Sequence, residues 1–323
     1  MTTIDFFDNI RFWGTTRNKY LEKFGYYRGR NFLGQLLGNF FLPPFFRITK
    51  NFECCKLNCE KNKIRKESSK VIVSMTSFPA RINRVWLAVE SIFRQKVKPD
   101  KILLCLTKSQ IPDVSALPRE LQEMQRKGLE IIFCNEEIRS HTKYWSAFSQ
   151  YSNDIIITVD DDIIYRSDLI ENLINFHKRF PKAIIVNWAK KISLNDEGKS
   201  VYNCWPEAQE QDIGVVKPNY SLFGVAGVLY PPHSMYEDCL NPDLIKLLSL
   251  TADDIWLSAQ AILKGTHFVF TGYRQNHLPV SIRNNETLLS VNSTRNQVQV
   301  DNINNYYEQK IGIRPFDKFQ TGN

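Results

Sequence analysis

No stretch of the chain reaches the about 18 consecutive apolar residues that a membrane-crossing helix needs, so no span is predicted. A secretory signal is not expected either, because Asp5 and Asp8 stand where its apolar core would begin. Cysteine is sparse and odd in number: seven, at 54, 55, 59, 105, 134, 204 and 239. Cys54, Cys55 and Cys59 lack a second cysteine or histidine pair at zinc spacing, and Cys105 and Cys134 fall in strand-like runs. Reduced thiols in a cytosolic protein are the expectation. Most of the chain also lacks a basic excess. Net charge is +8, yet residues 71–323 hold 28 Lys+Arg against 28 Asp+Glu, while residues 1–70 hold 14 against 6. A neutral body argues against a broad electrostatic grip on nucleic acid.

What is present is an ordinary globular balance, 43% hydrophobic and 24% charged over 323 residues. Residues 1–69 form an aromatic and basic extension. Phe6, Phe7, Phe12, Trp13, Tyr20, Phe24, Tyr26 and Tyr27 alternate with Arg11, Arg17, Lys19, Lys23, Arg28 and Arg30, and an apolar stretch follows from Phe32 to Phe46. Rings at headgroup depth with cations beside them would suit an interfacial anchor. The alternative is an extension that packs on the body and closes its edge.

From Lys70 onward, strands and helices alternate. Lys70–Met75, Lys101–Leu106, Leu129–Cys134 and Ile155–Val159 read as four buried strands, with a fifth at Ala183–Val186 and a last at His267–Thr271. Between them, Ile82 to Phe93, Leu117 to Lys127 and Tyr144 to Phe148 carry helical spacing. A helix capped by Ser167 and stopped before Pro181 follows, then an irregular polar stretch from Lys190 to Asn219. Leu222–Tyr230 is a strand-like run with two glycines, which indicates a bulge or a close backbone approach. Further helices are expected after Asn241-Pro242, from Thr251 to Gly265, and around Val300 to Lys310. The pattern predicts an α/β fold whose ligand lies outside the carboxyl ends of the strands.

At one such end stand Asp160, Asp161 and Asp162, between the apolar runs Ile155–Val159 and Ile163–Ile164. Three adjacent carboxylates there repel one another and lose solvation. The usual compensator is a divalent cation, which takes carboxylate oxygens and leaves positions for phosphate. A second acidic pair, Asp253-Asp254, opens the helix after Thr251. Thr251 and Asp254 have capping-box spacing, so one carboxylate has a structural explanation. The other reading is a base within reach of a hydroxyl.

V-D-D-D-I-I-Y after D-I-I-I-T resembles the metal motif of GT-A-fold, family-two-like bacterial glycosyltransferases. V-I-V-S-M-T-S-F-P-A-R-I, then K-P-D-K-I-L-L, resembles the nucleotide-sugar half of that group. F-G-V-A-G-V-L-Y-P-P followed by T-A-D-D-I-W resembles its glycine-rich segment and downstream acidic motif. The resemblance runs from about Val71 to Leu263. It implies a GT-A, Rossmann-like, mixed and mostly parallel sheet flanked by helices. Residues 70–165 would be the nucleotide-sugar half, and 166–323 the acceptor half and tail.

The resemblance implies Mn²⁺ or Mg²⁺ held by Asp162 as principal ligand and by Asp160, which could instead meet the donor ribose, with His277 as a last ligand. Asp161 would sit beside them in the donor site, chiefly as a spacer. Thr76, Ser77, Arg81 and Lys143 would line the donor pocket, Lys143 having a plain exposed lysine as its alternative. Asp254 would be the general base, with Asp253 its acidic neighbour. Partners would be a nucleotide-diphosphate sugar and a glycan or lipid-linked glycan, in cell-surface polysaccharide or lipopolysaccharide synthesis. The location would be cytoplasmic, with peripheral contact on the inner face of the membrane. No Q-x-x-R-W motif is present, which points to single-sugar addition. Two other classes compete. A metal-dependent nucleotidyltransferase would show a glycine- and basic-rich signature where T-S-F-P-A-R stands. A non-catalytic, membrane-associated binding protein on the same scaffold would not need both acidic motifs.

Overall fold

The computed structural model describes residues 40–49, 69–273, 278–279 and 288–319. His277 and most of the N-terminal extension lie outside the described residues. The core is an eight-stranded sheet in the order β3-β2-β1-β4-β10-β6-β11-β8. Its strands are β1 (Val71–Thr76), β2 (Lys101–Thr107), β3 (Leu129–Cys134), β4 (Ile155–Thr158), β6 (Ile184–Val186), β8 (Val216–Lys217), β10 (Val228–Tyr230) and β11 (Phe268–Phe270). The run β3-β2-β1-β4 is parallel throughout. β10 enters antiparallel between β4 and β6, and β8 is antiparallel on β11. The sheet is therefore mixed and mostly parallel, as the family resemblance implies. Among the described residues four short strands lie outside it: β5 (Ile163–Ile164) pairs with β12 (Leu278–Pro279), and β7 (Ala189–Lys191) with β9 (Tyr220–Leu222).

Helices cover both faces, which is why β1 and β4 are continuous apolar runs rather than alternating ones. On one face Val71, Val73 and Met75 of β1 pack with α2 (Trp86–Phe93), α3 (Arg119–Gln125) and α5 (Leu169–Arg179). Ile72 of the same strand points the other way, to a cluster with Ala147 of α4 (Thr142–Gln150). Beyond it, α6 (Pro242–Leu248), α7 (Asp253–Lys264) and α8 (Leu288–Ile311) enclose the second large core around Trp256 and Tyr307.

Four local expectations change. The helix after the aspartates starts at Leu169 with Asp168, not Ser167, as the flanking residue, and the Asp168 carboxylate holds Arg166 instead of capping. The stretch Leu222–Tyr230 is not one strand: β9 ends, a tight turn runs over Gly224–Ala226, and β10 begins. Gly227 takes φ +87° in that turn, a conformation that favours glycine. The stretch 190–219 is less irregular than its composition indicates, because it contains the end of β7 and all of β8. The capping box at Thr251 does not form: Ala252 flanks α7, with no side-chain cap bond.

In the extension, α1 (Leu42–Thr49) packs on the body through Leu42 and Phe46. Arg47 reaches Glu120 at 2.8 Å and lies over the Trp86 ring. Phe40 and Phe41, just before the helix, and Ile48 on its outward side are 70%, 61% and 73% exposed. The described part of the extension thus packs on the body through this helix.

Candidate active site

Parallel register brings the carboxyl ends of β1 and β4 together. Ser74 stands opposite Thr158, so three residues further on Ser77 meets Asp161. The Ser77 hydroxyl donates to Asp161 Oδ2 at 2.6 Å, and Arg81 donates to Asp161 Oδ1 at 2.7 Å. The same guanidinium reaches Asp162 Oδ2 at 2.8 Å. Thr76, by contrast, turns its hydroxyl to the carbonyl of Cys105 at 2.7 Å. Asp161 is buried and held by two partners, Ser77 and Arg81, more a strut between the two strand ends than a bare spacer. Asp160 and Asp162 stay partly open, with about 30% of each side chain exposed.

Lys143 is the second cation of the site. It is buried in the first turn of α4, where the helix dipole disfavours positive charge. The Ser74 hydroxyl holds its carbonyl at 2.5 Å and so ties the helix start to β1. Its ammonium lies 2.9 Å from Asp160 Oδ1 and 2.7 Å from Asp253 Oδ2, joining the two acidic motifs across the sheet. The alternative of an exposed lysine is therefore overturned. Burial works against its charge, but Asp160, Asp253 and Asp254 outweigh that and hold its pKa well above the usual value.

The two carboxyls of the second motif diverge. Burial raises Asp253, yet the Lys143 ammonium dominates and holds it down. Asp254 is pushed well up, by burial first and then by the negative charge of Asp253. Asp254 Oδ1 accepts the backbone N–H of Gly224 at 3.0 Å. Among the described residues Oδ2 has no hydrogen-bond donor. Two neighbouring titratable groups with environments that split their pKa values are a common acid–base arrangement. Asp162 is raised to about 6, by burial and then by Asp160.

Gly224 explains the glycine-rich run. A Cβ there would lie 3.0 Å from both Asp254 Oδ1 and Lys143 Nζ. Neither atom is free to retreat, since each is held by partners. Gly224→Ala is expected to overpack the site, costing about 1–3 kcal/mol of stability and most of the turnover. An unchanged melting temperature with unchanged activity would contradict this.

Five carboxyls thus face two cations, Arg81 and Lys143. In part these cations perform the compensation that the sequence assigns to a metal. They do not complete it, because Asp162 and Asp254 remain raised. Among the described residues no three His, Cys, Asp or Glu side chains converge into a metal cage. Two open carboxylates, Asp160 and Asp162, are nonetheless the hard donor set that Mg²⁺ or Mn²⁺ takes when phosphate oxygens complete its shell. Sequence reasoning missed Tyr165, whose hydroxyl accepts the Asp160 N–H at 2.7 Å and donates to the Val225 carbonyl at 3.1 Å. No pattern in the chain announces that brace.

A family model described as Glycosyl transferase family 2 matches residues 76–236, which run from the end of β1 past Asp160–Asp162 and Gly224. The chain belongs to glycosyl transferase family 2. No curated protein matches it. Solved structures similar to it include a mannosyltransferase, PcManGT from Pyrobaculum calidifontis, in complex with GDP-Man and Mn²⁺. That likeness has 14% identity, 78% of this chain, 68% of that one and a TM-score of 0.47. TarS residues 1–349 from S. aureus are similar at 10% identity, over 76% of this chain and 74% of that one, with a TM-score of 0.41. A UDP-glucose pyrophosphorylase from Acinetobacter baumannii is similar at 12% identity, over 64% and 87%, with a TM-score of 0.36. As a family 2 glycosyltransferase, the chain has its matched residues on the parallel half-sheet and the turn that holds Asp254.

Proposed function

We propose that this glycosyltransferase moves one sugar from a nucleotide-diphosphate donor to a hydroxyl of a glycan or lipid-linked glycan, with inversion, in cell-surface polysaccharide or lipopolysaccharide synthesis. The observation that carries this reading is the single buried ammonium of Lys143 shared by Asp160 and Asp253. It joins Asp160, proposed for the donor side, to the Asp253-Asp254 pair, proposed for the acceptor side. Asp160 and Asp162 would hold Mn²⁺ or Mg²⁺, and the ion would neutralise charge on the leaving diphosphate. Ser77, Arg81 and Asp161 would shape the nucleotide side, with Thr76 behind them holding the strand end. His277 remains a proposed further ligand.

Asp254 takes the proton from the acceptor hydroxyl through Oδ2, while the Gly224 amide fixes Oδ1. The new bond forms from acceptor oxygen to anomeric carbon as the bond to the diphosphate oxygen breaks. Asp253, kept ionised by Lys143, raises the basicity of Asp254 through its charge. A raised carboxylate is the stronger base once ionised. The decisive experiment is a panel of nucleotide sugars assayed for hydrolysis with Mn²⁺, with Mg²⁺ and after chelation. At least one donor is expected to turn over and to stop on chelation. No turnover of any donor would overturn the reading.

The exposed side chains at and just before α1 support a membrane surface as the proposed place of reaction. Phe40, Phe41 and Ile48 together with the basic excess of residues 1–70 suit the surface of an anionic bilayer. The full chain is expected to sediment with phosphatidylglycerol-containing vesicles and to release in high salt. Phe40→Ser with Phe41→Ser should weaken that binding about tenfold, since each ring carries roughly 1.5–3 kcal/mol of burial energy at most. Equal sedimentation with and without anionic lipid would contradict the assignment.

A further inference from the structure

Beside Gly224 lies a group of side chains that donor binding and proton removal do not use. In the β7–β9 ladder Ala189 stands opposite Leu222 and Lys190 opposite Ser221. The Phe223 amide donates to the Trp188 carbonyl at 3.0 Å, which sets those two residues across from each other. Trp188, just before β7, and Lys190 both approach the Phe223 ring. Trp188 and Phe223 stack, with ring centroids 5.3 Å apart and planes 28° from parallel. The Lys190 ammonium lies 4.9 Å from the Tyr202 ring centre and 5.9 Å from that of Phe223.

This shelf sits against the proposed base. Phe223 is the residue before Gly224, whose amide holds Asp254. Ser221, opposite Lys190, reaches Ser258 one turn along α7 from Asp254. The charge of Asp254 also contributes to raising the Tyr202 phenol, after burial. The neighbouring cations are spoken for: Lys191 and Lys217 both grip Asp212, at 3.2 and 2.7 Å. Lys190 has no carboxylate within ion-pair distance among the described residues. It is only partly covered, at the edge of the site.

We infer that this shelf receives the acceptor and that Lys190 reads a carboxylate on it, so that the preferred acceptor ends in an acidic sugar. The inference rests on the glycosyltransferase reading above. Aromatic faces pack against the C–H surface of a sugar ring, and rings over Lys190 hold its ammonium in place without neutralising it. A single ammonium matches the single charge of a carboxylate. A bidentate phosphate site would add an Arg fork, and no Arg lies over these rings among the described residues.

The test measures binding of the full chain, with Mn²⁺, to p-nitrophenyl β-glucuronide and to p-nitrophenyl β-glucoside, by calorimetry. The wild type is expected to bind the glucuronide about tenfold more tightly, the size of one charge-assisted contact. Lys190→Gln should remove that preference and leave glucoside affinity in place, which also shows that the shelf is folded. Lys190→Arg should keep the preference, and Trp188→Ala should weaken both ligands. Equal binding by the wild type, or a preference that survives in Lys190→Gln, overturns the inference. Wild-type donor hydrolysis run alongside separates the two claims. Hydrolysis with no glucuronide preference removes the acceptor inference alone. A Lys190-dependent preference without hydrolysis of any donor removes the transfer reading and leaves an acidic-sugar site.

Discussion

Replacing Lys143 by methionine is expected to unfold the site before it slows it. The substitution keeps the length of the side chain and removes the one charge that Asp160 and Asp253 share. Breaking a buried ion pair from one side costs about 3–5 kcal/mol, because the stranded charges cannot regain water. For a chain of this size that corresponds to a fall in melting temperature of roughly 10 °C. The pH dependence follows from the directions of the shifts. The lysine pKa is raised, so its contribution is present throughout the neutral range and is lost only as pH climbs past its raised value. Asp253 is lowered, so its contribution is present above the ordinary carboxylate range and is lost as pH falls through its folded value. The gap between wild type and Lys143→Met should therefore narrow in acid, where the stranded carboxyls take up protons. A variant that melts within a degree or two of wild type at pH 7 would mean that the ammonium is not the hub described.

Asp254→Asn is expected to lower acceptor transfer by about 10²–10⁴-fold, the usual range for loss of a positioned base. The amide is isosteric and can still accept from the Gly224 N–H through its carbonyl oxygen, so folding should survive. Donor affinity should change little. In the wild type, transfer should rise with pH. The Asp254 carboxyl is raised, so it retains its proton further up the scale, and the active base appears only as that proton leaves. Activity is thus lost as pH falls through the raised value. Asp254→Asn should flatten this limb. Full transfer activity in the variant would remove Asp254 from the role of base.

Much of this could be read in the sequence because buried parallel strands leave a strong mark. Val71–Val73 and Ile155–Ile157 are apolar without alternation, and the chemistry follows directly where such runs stop. Their order placed Thr76, Ser77 and the three aspartates at one edge. Less could be read where a short turn or a lone side chain does the work. The 222–230 run has strand-like composition, yet Gly224 and Gly227 turn it within three residues, and only the approach of Asp254 and Lys143 shows why. Lys143 looked interchangeable with a surface lysine because burial depends on α7, more than a hundred residues away in sequence. The capping box failed for a related reason. Asp254 found a donor in another segment, at Gly224, and a distant backbone amide displaced the local one. Tyr165 left no mark at all, since a brace made by one hydroxyl has no periodicity.

In the proposed transferase Asp160 and Asp162 form the donor-side metal site, and Asp254 acts separately from it. Donor hydrolysis measures the first part without an acceptor. The assay compares wild type, Asp162→Ala and Asp254→Asn on a nucleotide sugar that the wild type hydrolyses with Mn²⁺. Asp254→Asn is expected still to hydrolyse donor at a rate within a fewfold of wild type, while Asp162→Ala falls to the level seen after chelation. Metal-dependent hydrolysis that persists in Asp162→Ala would contradict that assignment.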